Sequence, residues 1–314
     1  MTEQNQQVSP IKKWFIAARP WALPASTMPV IFGTSLAVVI GGAHLDFPRF
    51  LLALVAMVLI HSGANMLSDV FDFKRGLDRV VTPVSGALPR GWLSTRAVTI
   101  GAILLFIIGS GVGIVLFLMT GTVLLIIGAI GVVIGVFYTL LKYNAFGDLA
   151  VFLDFGILGS LGAWVVQTKS FSWIPVAWTV PMAMLVSAIL HANNWRDINT
   201  DTEKNVRTMA STFGDRGSLL YYGFLIFGPY AVFLVLIFIP RLPGINMAAM
   251  PLTFFLAFAG LFQAGKLWGR AVRRKNPRHP LEFVILDGAT STYNLTLGLL
   301  CTAAVWLHFF LKGV

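Results

Sequence analysis

Cysteine is nearly absent from this 314-residue chain. Cys301 stands alone, so neither an intrachain disulfide nor a cysteine metal cluster is available. Charge is scarce too: 11% of residues are Asp, Glu, Lys or Arg, against 57% hydrophobic, and mean hydropathy is +0.80. A soluble domain carries about 25% charged and about 45–50% apolar residues, so an ordinary cytosolic domain is excluded, and intrinsic disorder with it. Residues 1–18 are polar and then basic, without the short apolar core and small-residue site of a signal peptide. The five histidines show no metal-ligand spacing, and packing within a helix bundle is the expectation for His61 and His191. No nucleic-acid motif accompanies the net charge of +10. What the chain has instead is long apolar runs, which read as a polytopic membrane protein.

A helix crossing the hydrocarbon layer takes about 20 mostly apolar residues. Charge-free stretches of that size cover 20–45, 50–68, 170–195, 217–240, 242–265 and 288–311. The run 97–141 holds two more, with Thr120-Gly121 as the turn between them, and the stretch 149–168 carries a single acid, Asp154. The expected fold is therefore all-α. Nine transmembrane helices surround a central cavity, capped on the cytoplasmic side by the 2–3 and 6–7 loops. Residues 1–18 form a cytoplasmic N-terminal segment and 19–314 a single transmembrane domain. With the N-terminus inside, 19 of the 23 Lys and Arg fall on the cytoplasmic side and four outside, as the positive-inside rule requires. The net charge then reflects topology and attraction to the anionic lipids of a bacterial inner membrane or its equivalent.

The few acids are informative. Seven of thirteen lie in two windows, Asp69, Asp72 and Asp78 after span 2, and Asp197, Asp201, Glu203 and Asp215 after span 6. Asn65, Asp69 and Asp72 share one helical face at i, i+4 and i+7, and Gly76 is a natural stop for that helix. Asn194, Asp197 and Asp201 repeat the pattern at i, i+3 and i+7, 128 residues further on. Carboxylates and amides offer oxygen donors only, the ligand set of a hard cation such as magnesium, which completes its shell with water and phosphate oxygens. Two such stripes facing each other at the membrane surface suit a lipid diphosphate. The interleaved Lys74, Arg75, Arg196, Lys204 and Arg207 would neutralise its remaining charge.

At these windows the chain resembles the UbiA-type superfamily of intramembrane aromatic prenyltransferases. Asp69, Asp72, Gly76 and Asp78 match the first motif of its 1,4-dihydroxy-2-naphthoate polyprenyltransferase branch. Asn193 through Asp201, followed by Arg207-Thr208, match the second. Arg19-Pro20-Trp21 with Pro29 and Gly33 is similar to the start of the family's first helix, and Tyr138-Thr139, Lys142-Tyr143 and Gly147-Asp148-Leu149 to its 4–5 loop. Ser68 departs from the branch, which often has a second Asn there, and the segment 82–91 is closer to the wider superfamily.

The resemblance implies a Mg2+-dependent prenyltransferase. Asp69, Asp72, Asp197 and Asp201, with Asp78 as a further candidate, would hold the metal. The diphosphate of a polyprenyl donor departs, and an aromatic carbon captures the allylic cation. A naphthoate acceptor, as in menaquinone biosynthesis, also loses carbon dioxide. Asn65, Asn193, Asn194, Tyr138 and Arg19 are the remaining substrate-binding candidates. Asp154, an acid inside a span, marks a functional position or a pairing one, and Asp287 reads as a helix N-cap. The alternatives are the same chemistry with 4-hydroxybenzoate, homogentisate, a chlorophyllide or haem as acceptor, or, in another class, a membrane transporter.

Overall fold

The computed structural model describes residues 8–77, 81, 85–242 and 248–312, and among these it is helical throughout. A short amphipathic helix, α1 (Pro10–Ala17), precedes α2 (Pro24–Val39), and the two segments meet at a 59° bend. Pro20 and Pro24 at helix starts, and Arg19 in the left-handed region at φ 51°, fix that corner. Seven helices are long and apolar enough to cross a membrane, and the bent pair adds an eighth. They are α3 (Phe47–Arg75), α4 (Thr95–Thr120), α5 (Thr122–Tyr143), α6 (Gly147–Thr168), α10 (Met209–Phe238), α11 (Leu252–Val272) and α12 (Leu286–Lys312). The protein is an all-α integral membrane protein.

The punctuation follows the chain's chemistry. Asp46, Ser94 and Thr208 cap α3, α4 and α10 through their side chains. Gly76 ends α3 at φ 77°, and Gly121 at φ 117° separates α4 from α5 at the expected turn. The sixth apolar stretch is divided. It forms α7 (Trp173–Trp178) and α8 (Val180–Arg196), because Pro181 in the first turn of α8 cannot donate back across Thr179. At 17 residues α8 lies at the lower end of what crosses a bilayer; by length and composition seven helices and one bent pair qualify among the described residues, and the ninth expected span is the divided stretch α7–α8. A one-turn helix, α9 (Ile198–Glu203), follows. Asp287 falls inside α12, one residue past its first, and not at its cap as the sequence suggested.

The helices close into a ring: α2 lies between α6 and α12, α12 packs on α8 and α11, and α8 on α10 and α6. Small residues set the tightest crossings, as membrane interfaces favour. A methyl group on Gly33 of α2 would overlap the Ser160 carbonyl of α6, and one on Gly156 would overlap Ala183 of α8. On the far side, α4 and α5 pack with α3, and Ile107, Leu118, Ile126 and Leu140 face outward. Over Phe152–Leu158, α6 widens to π-helical turns, and the Gly159 amide reaches the Asp154 carbonyl five residues back. The ring thus brings the ends of α3 and α8, and both acidic windows, to one end of the bundle.

Candidate active site

Eight residues past the start of α8's last two turns, the second acidic window bends into α9, and the end of α3 lies across from it. One pocket is lined by Asp72 from the first window and by Asn193, Asn194, Arg196, Asp197, Thr200 and Asp201 from the second, with Arg19 and Lys142. Beneath it, towards the bundle interior, a chamber of about 90 Å3 shares Arg19, Lys142 and Asn193 and adds Asn65, Ser68, Tyr138, Trp21 and Phe155. Of the first stripe, Asp72 meets the second stripe in the polar pocket, Asn65 lines the chamber and Asp69 lines neither.

Each acid is held by the chain's own cations or donors. Arg19 reaches Asp69 through two nitrogens, one of them its Nε donating to Oδ2 at 3.2 Å. An arginine in the left-handed backbone region costs on the order of 1–3 kcal/mol, and it sits where the strain delivers this contact. Lys142 donates to Asp72 at 2.9 Å and the Tyr143 hydroxyl donates to the other oxygen at 2.6 Å. Arg196 grips Asp197 with Nε at 3.0 Å and a terminal nitrogen at 2.8 Å. Its remaining nitrogen donates to Asp287 at 3.0 Å, which also accepts from Asn193. Thr208 donates to Asp201 at 3.4 Å. Burial pushes the Asp201 carboxyl up to about 7; Lys142 opposes the rise, while Asp197 and Asp72 add to it.

Gly86, in the segment between α3 and α4, closes over this end. A Cβ there would stand 2.5 Å from an Asp69 oxygen, so any larger residue would press on that carboxylate. Asn65 is part of the chamber wall, and its buried amide nitrogen has no partner among the described residues. Among the described residues no three His, Cys, Asp or Glu side chains are gathered about a single metal position. The acids stand instead as separate oxygen donors around a shared polar space.

The other candidates divide. Asn194 is buried in the pocket wall and Tyr138 lines the chamber. Arg75 is exposed and stacks on the Tyr143 ring, 4.4 Å from its centroid. Lys74, Lys204 and Arg207 are exposed and line neither cavity. Asp78 lies outside the described residues. Asp215 is used elsewhere, held by Arg274, Lys275 and the Trp195 indole.

Lys142 and Tyr143 entered the sequence reading only as part of a loop resemblance, Asp287 as a cap and His61 as a packing residue, so none of the four was expected at the site. Lys142 carried a usable signal, since it is the one cation between Arg96 and Lys169. His61 is buried, pairs its Nδ1 with the Ser26 hydroxyl at 2.7 Å and lines the chamber, a role that needs α2 and α3 side by side to be visible. His191 is buried against Asp148 at 3.1 Å, which ties α8 to the start of α6.

Comparison with known proteins is consistent in kind. Residues 26–284 match the UbiA prenyltransferase family. The chain is 31% identical over 260 residues to the UbiA prenyltransferase domain-containing protein 1 of Xenopus tropicalis, covering 78% of this chain and 72% of that one. Its fold is similar to that of a UbiA homolog from Archaeoglobus fulgidus. The structure bound to GPP and Mg2+ superposes with a TM-score of 0.60 at 13% identity, covering 93% of this chain and 99% of the other. The structure bound to DMAPP and Mg2+ gives 0.58 at 15% identity with the same coverage.

Proposed function

The chain belongs to the UbiA prenyltransferase family, and from that premise we propose that it moves a prenyl group from a polyprenyl diphosphate to an aromatic acceptor. We take 1,4-dihydroxy-2-naphthoate as the first acceptor, because the spacing of both acidic windows resembles the branch that uses it, and Mg2+ as the cofactor. The observation that carries the reading is the polar pocket where Asp72 meets Asp197 and Asp201, ringed by Arg19, Lys142 and Arg196.

A prenyl diphosphate matches such a site at both ends. Its oxygens call for cations, and its chain calls for apolar walls. The donor set is all oxygen, fitting a hard cation, and the Asn65 amide, unpartnered in the chamber wall, would donate to a substrate oxygen. Asp69, Asp72, Asp197 and Asp201 would hold the metal. When bound, Mg2+ supplies charge stabilisation at the leaving diphosphate. Arg19, Lys142 and Arg196, now paired with the acids, take phosphate oxygens as negative charge builds there. Trp21, Phe155 and Leu190 in the chamber wall keep water from the allylic cation, which would otherwise be captured as an alcohol. The carbon–oxygen bond breaks with its electron pair on the diphosphate, the acceptor's ring carbon bonds to the allylic cation, and the substituent on that ring carbon leaves, as a proton where it is hydrogen. With naphthoate, the carboxyl group leaves as carbon dioxide. The site faces the cytoplasm in this reading, supported by the 19 cations on its side of the membrane.

The test is an acceptor panel. The purified full chain, with Mg2+ and a prenyl diphosphate series, should release diphosphate when given 1,4-dihydroxy-2-naphthoate and form a prenylated naphthalene-1,4-diol. Release with 4-hydroxybenzoate alone would replace the acceptor and keep the chemistry. No release with any aromatic acceptor would overturn the proposal.

A further inference from the structure

Away from the polar pocket, α3, α4, α5 and α6 enclose a second cavity of about 450 Å3 that opens towards the lipid. Six glycines of its wall make the space: Gly109 and Gly113 on α4, Gly128 and Gly131 on α5, Gly159 and Gly162 on α6. Its lining is apolar apart from Ser110 and one acid, Asp154. Asp154 is 7% exposed, stands in the π-helical part of α6, and its carboxyl is bonded by no group of the described residues. It points at the glycine face of α5, with one oxygen 3.0 Å from where a Cβ on Gly131 would be. π-helical turns inside α-helices concentrate at functional positions.

A polar group buried without a hydrogen bond costs roughly 2–7 kcal/mol, and an acid at membrane depth tends to mark function. The described residues offer Asp154 no partner, so the partner comes from what occupies the cavity. No Lys, Arg or His lines the space, which disfavours an anionic lipid. A cationic amine would have to shed its water beside a second ion, and that desolvation is costly. We propose that this cavity binds a neutral lipid whose head carries a hydroxyl group that donates a hydrogen bond to Asp154. The body then runs along α5 from Gly131 towards Leu124, about 10 Å at 1.5 Å per residue. The site stands on its own observations and does not require the prenyl-transfer reading.

The test uses the full chain in phosphatidylcholine nanodiscs and a 4-alkylphenol with a photoreactive diazirine in its tail. Cross-linked peptides are mapped and counted. Labelling of residues 124–133 should fall at least tenfold in Asp154→Leu, which removes the hydrogen bond, and in Gly128→Leu, which fills the cavity. Gly128 has nothing within 4 Å of its Cβ position, so the fold tolerates the second change. Asp154→Asn, Asp69→Asn and Gly111→Leu should stay within threefold of the natural chain; Gly111 also has open space but lies off the cavity. 1-Decanol should compete for the site, and hexadecane should not. Undiminished labelling in folded Asp154→Leu, equal competition by hexadecane, or stronger competition by an alkylamine overturns the proposal.

Discussion

Lys142→Met isolates the ion pair at the centre of the polar pocket. Lys142 and Asp72 are 2.9 Å apart, with side-chain exposures of 9% and 8%. Removing one partner leaves a carboxylate buried with only the Tyr143 hydroxyl for company, and breaking such pairs costs about 3–5 kcal/mol. Replacing both charges is a different matter, because a neutral, similarly shaped pair is often as stable as the ions it replaces. The double variant Asp72→Asn/Lys142→Met keeps the Tyr143 contact and should recover to within about 1 kcal/mol of the natural chain, giving a large coupling energy. Unfolding by SDS titration measures all four corners of the cycle. Turnover is the second readout. Lost charge stabilisation of about 3 kcal/mol at the leaving group is roughly a hundredfold in rate, and the double variant should stay impaired although its stability returns. A double variant as unstable as the single lysine change would refute the pairing argument, and recovered turnover would remove Asp72 from the chemistry.

Three further outcomes follow from the geometry. Gly86→Ala presses a methyl group on the Asp69 carboxylate and should lower turnover at least tenfold while the thermal midpoint moves little; unchanged turnover would show that Asp69 yields freely. Asp201, raised to about 7 from an ordinary 3.8, binds a proton more tightly when folded, so its stabilising contribution is complete below about pH 4 and is lost as pH rises through 7. Metal needs the ionised form, so Mg2+ half-saturation, measured with prenyl donor present, should tighten from pH 6 to 7 and level above it. Asp201→Asn should abolish that slope, and chelation with EDTA should stop turnover until Mg2+ is restored. Gly33→Leu, forced against the Ser160 backbone, should separate α2 from α6 and lower the thermal midpoint by several degrees, whereas the same change at Gly111 should leave it unmoved.

Much of the architecture was legible because membrane helices are written in composition. The Thr120-Gly121 turn and the Gly76 stop lie where residue chemistry alone put them, since an apolar run too long for one span must break at its most turn-prone point. The acidic stripes were legible because three residues on one helical face leave a period. Lys142 was harder: its partner, Asp72, is seventy positions away, and no local pattern links the end of α5 to the end of α3. Asp287 looked like a cap because it precedes a glycine at a helix mouth, yet its carboxylate serves Arg196 from across the bundle. The break between α7 and α8 was hidden inside an uncharged stretch, where Pro181 outweighed hydropathy. The Asp154 cavity belongs to several helices at once, and its glycines look unremarked in any one of them.

The acids of the polar pocket are already spoken for, and this governs how the site loads. A bare divalent ion must evict Arg19, Lys142 or Arg196 from its carboxylate with nothing nearby to receive the displaced charge. An ion arriving together with a diphosphate brings the receiver with it. Metal titrations performed without the prenyl donor should therefore report far weaker affinity than those performed with it, and stray divalent ions gain little foothold between turnovers.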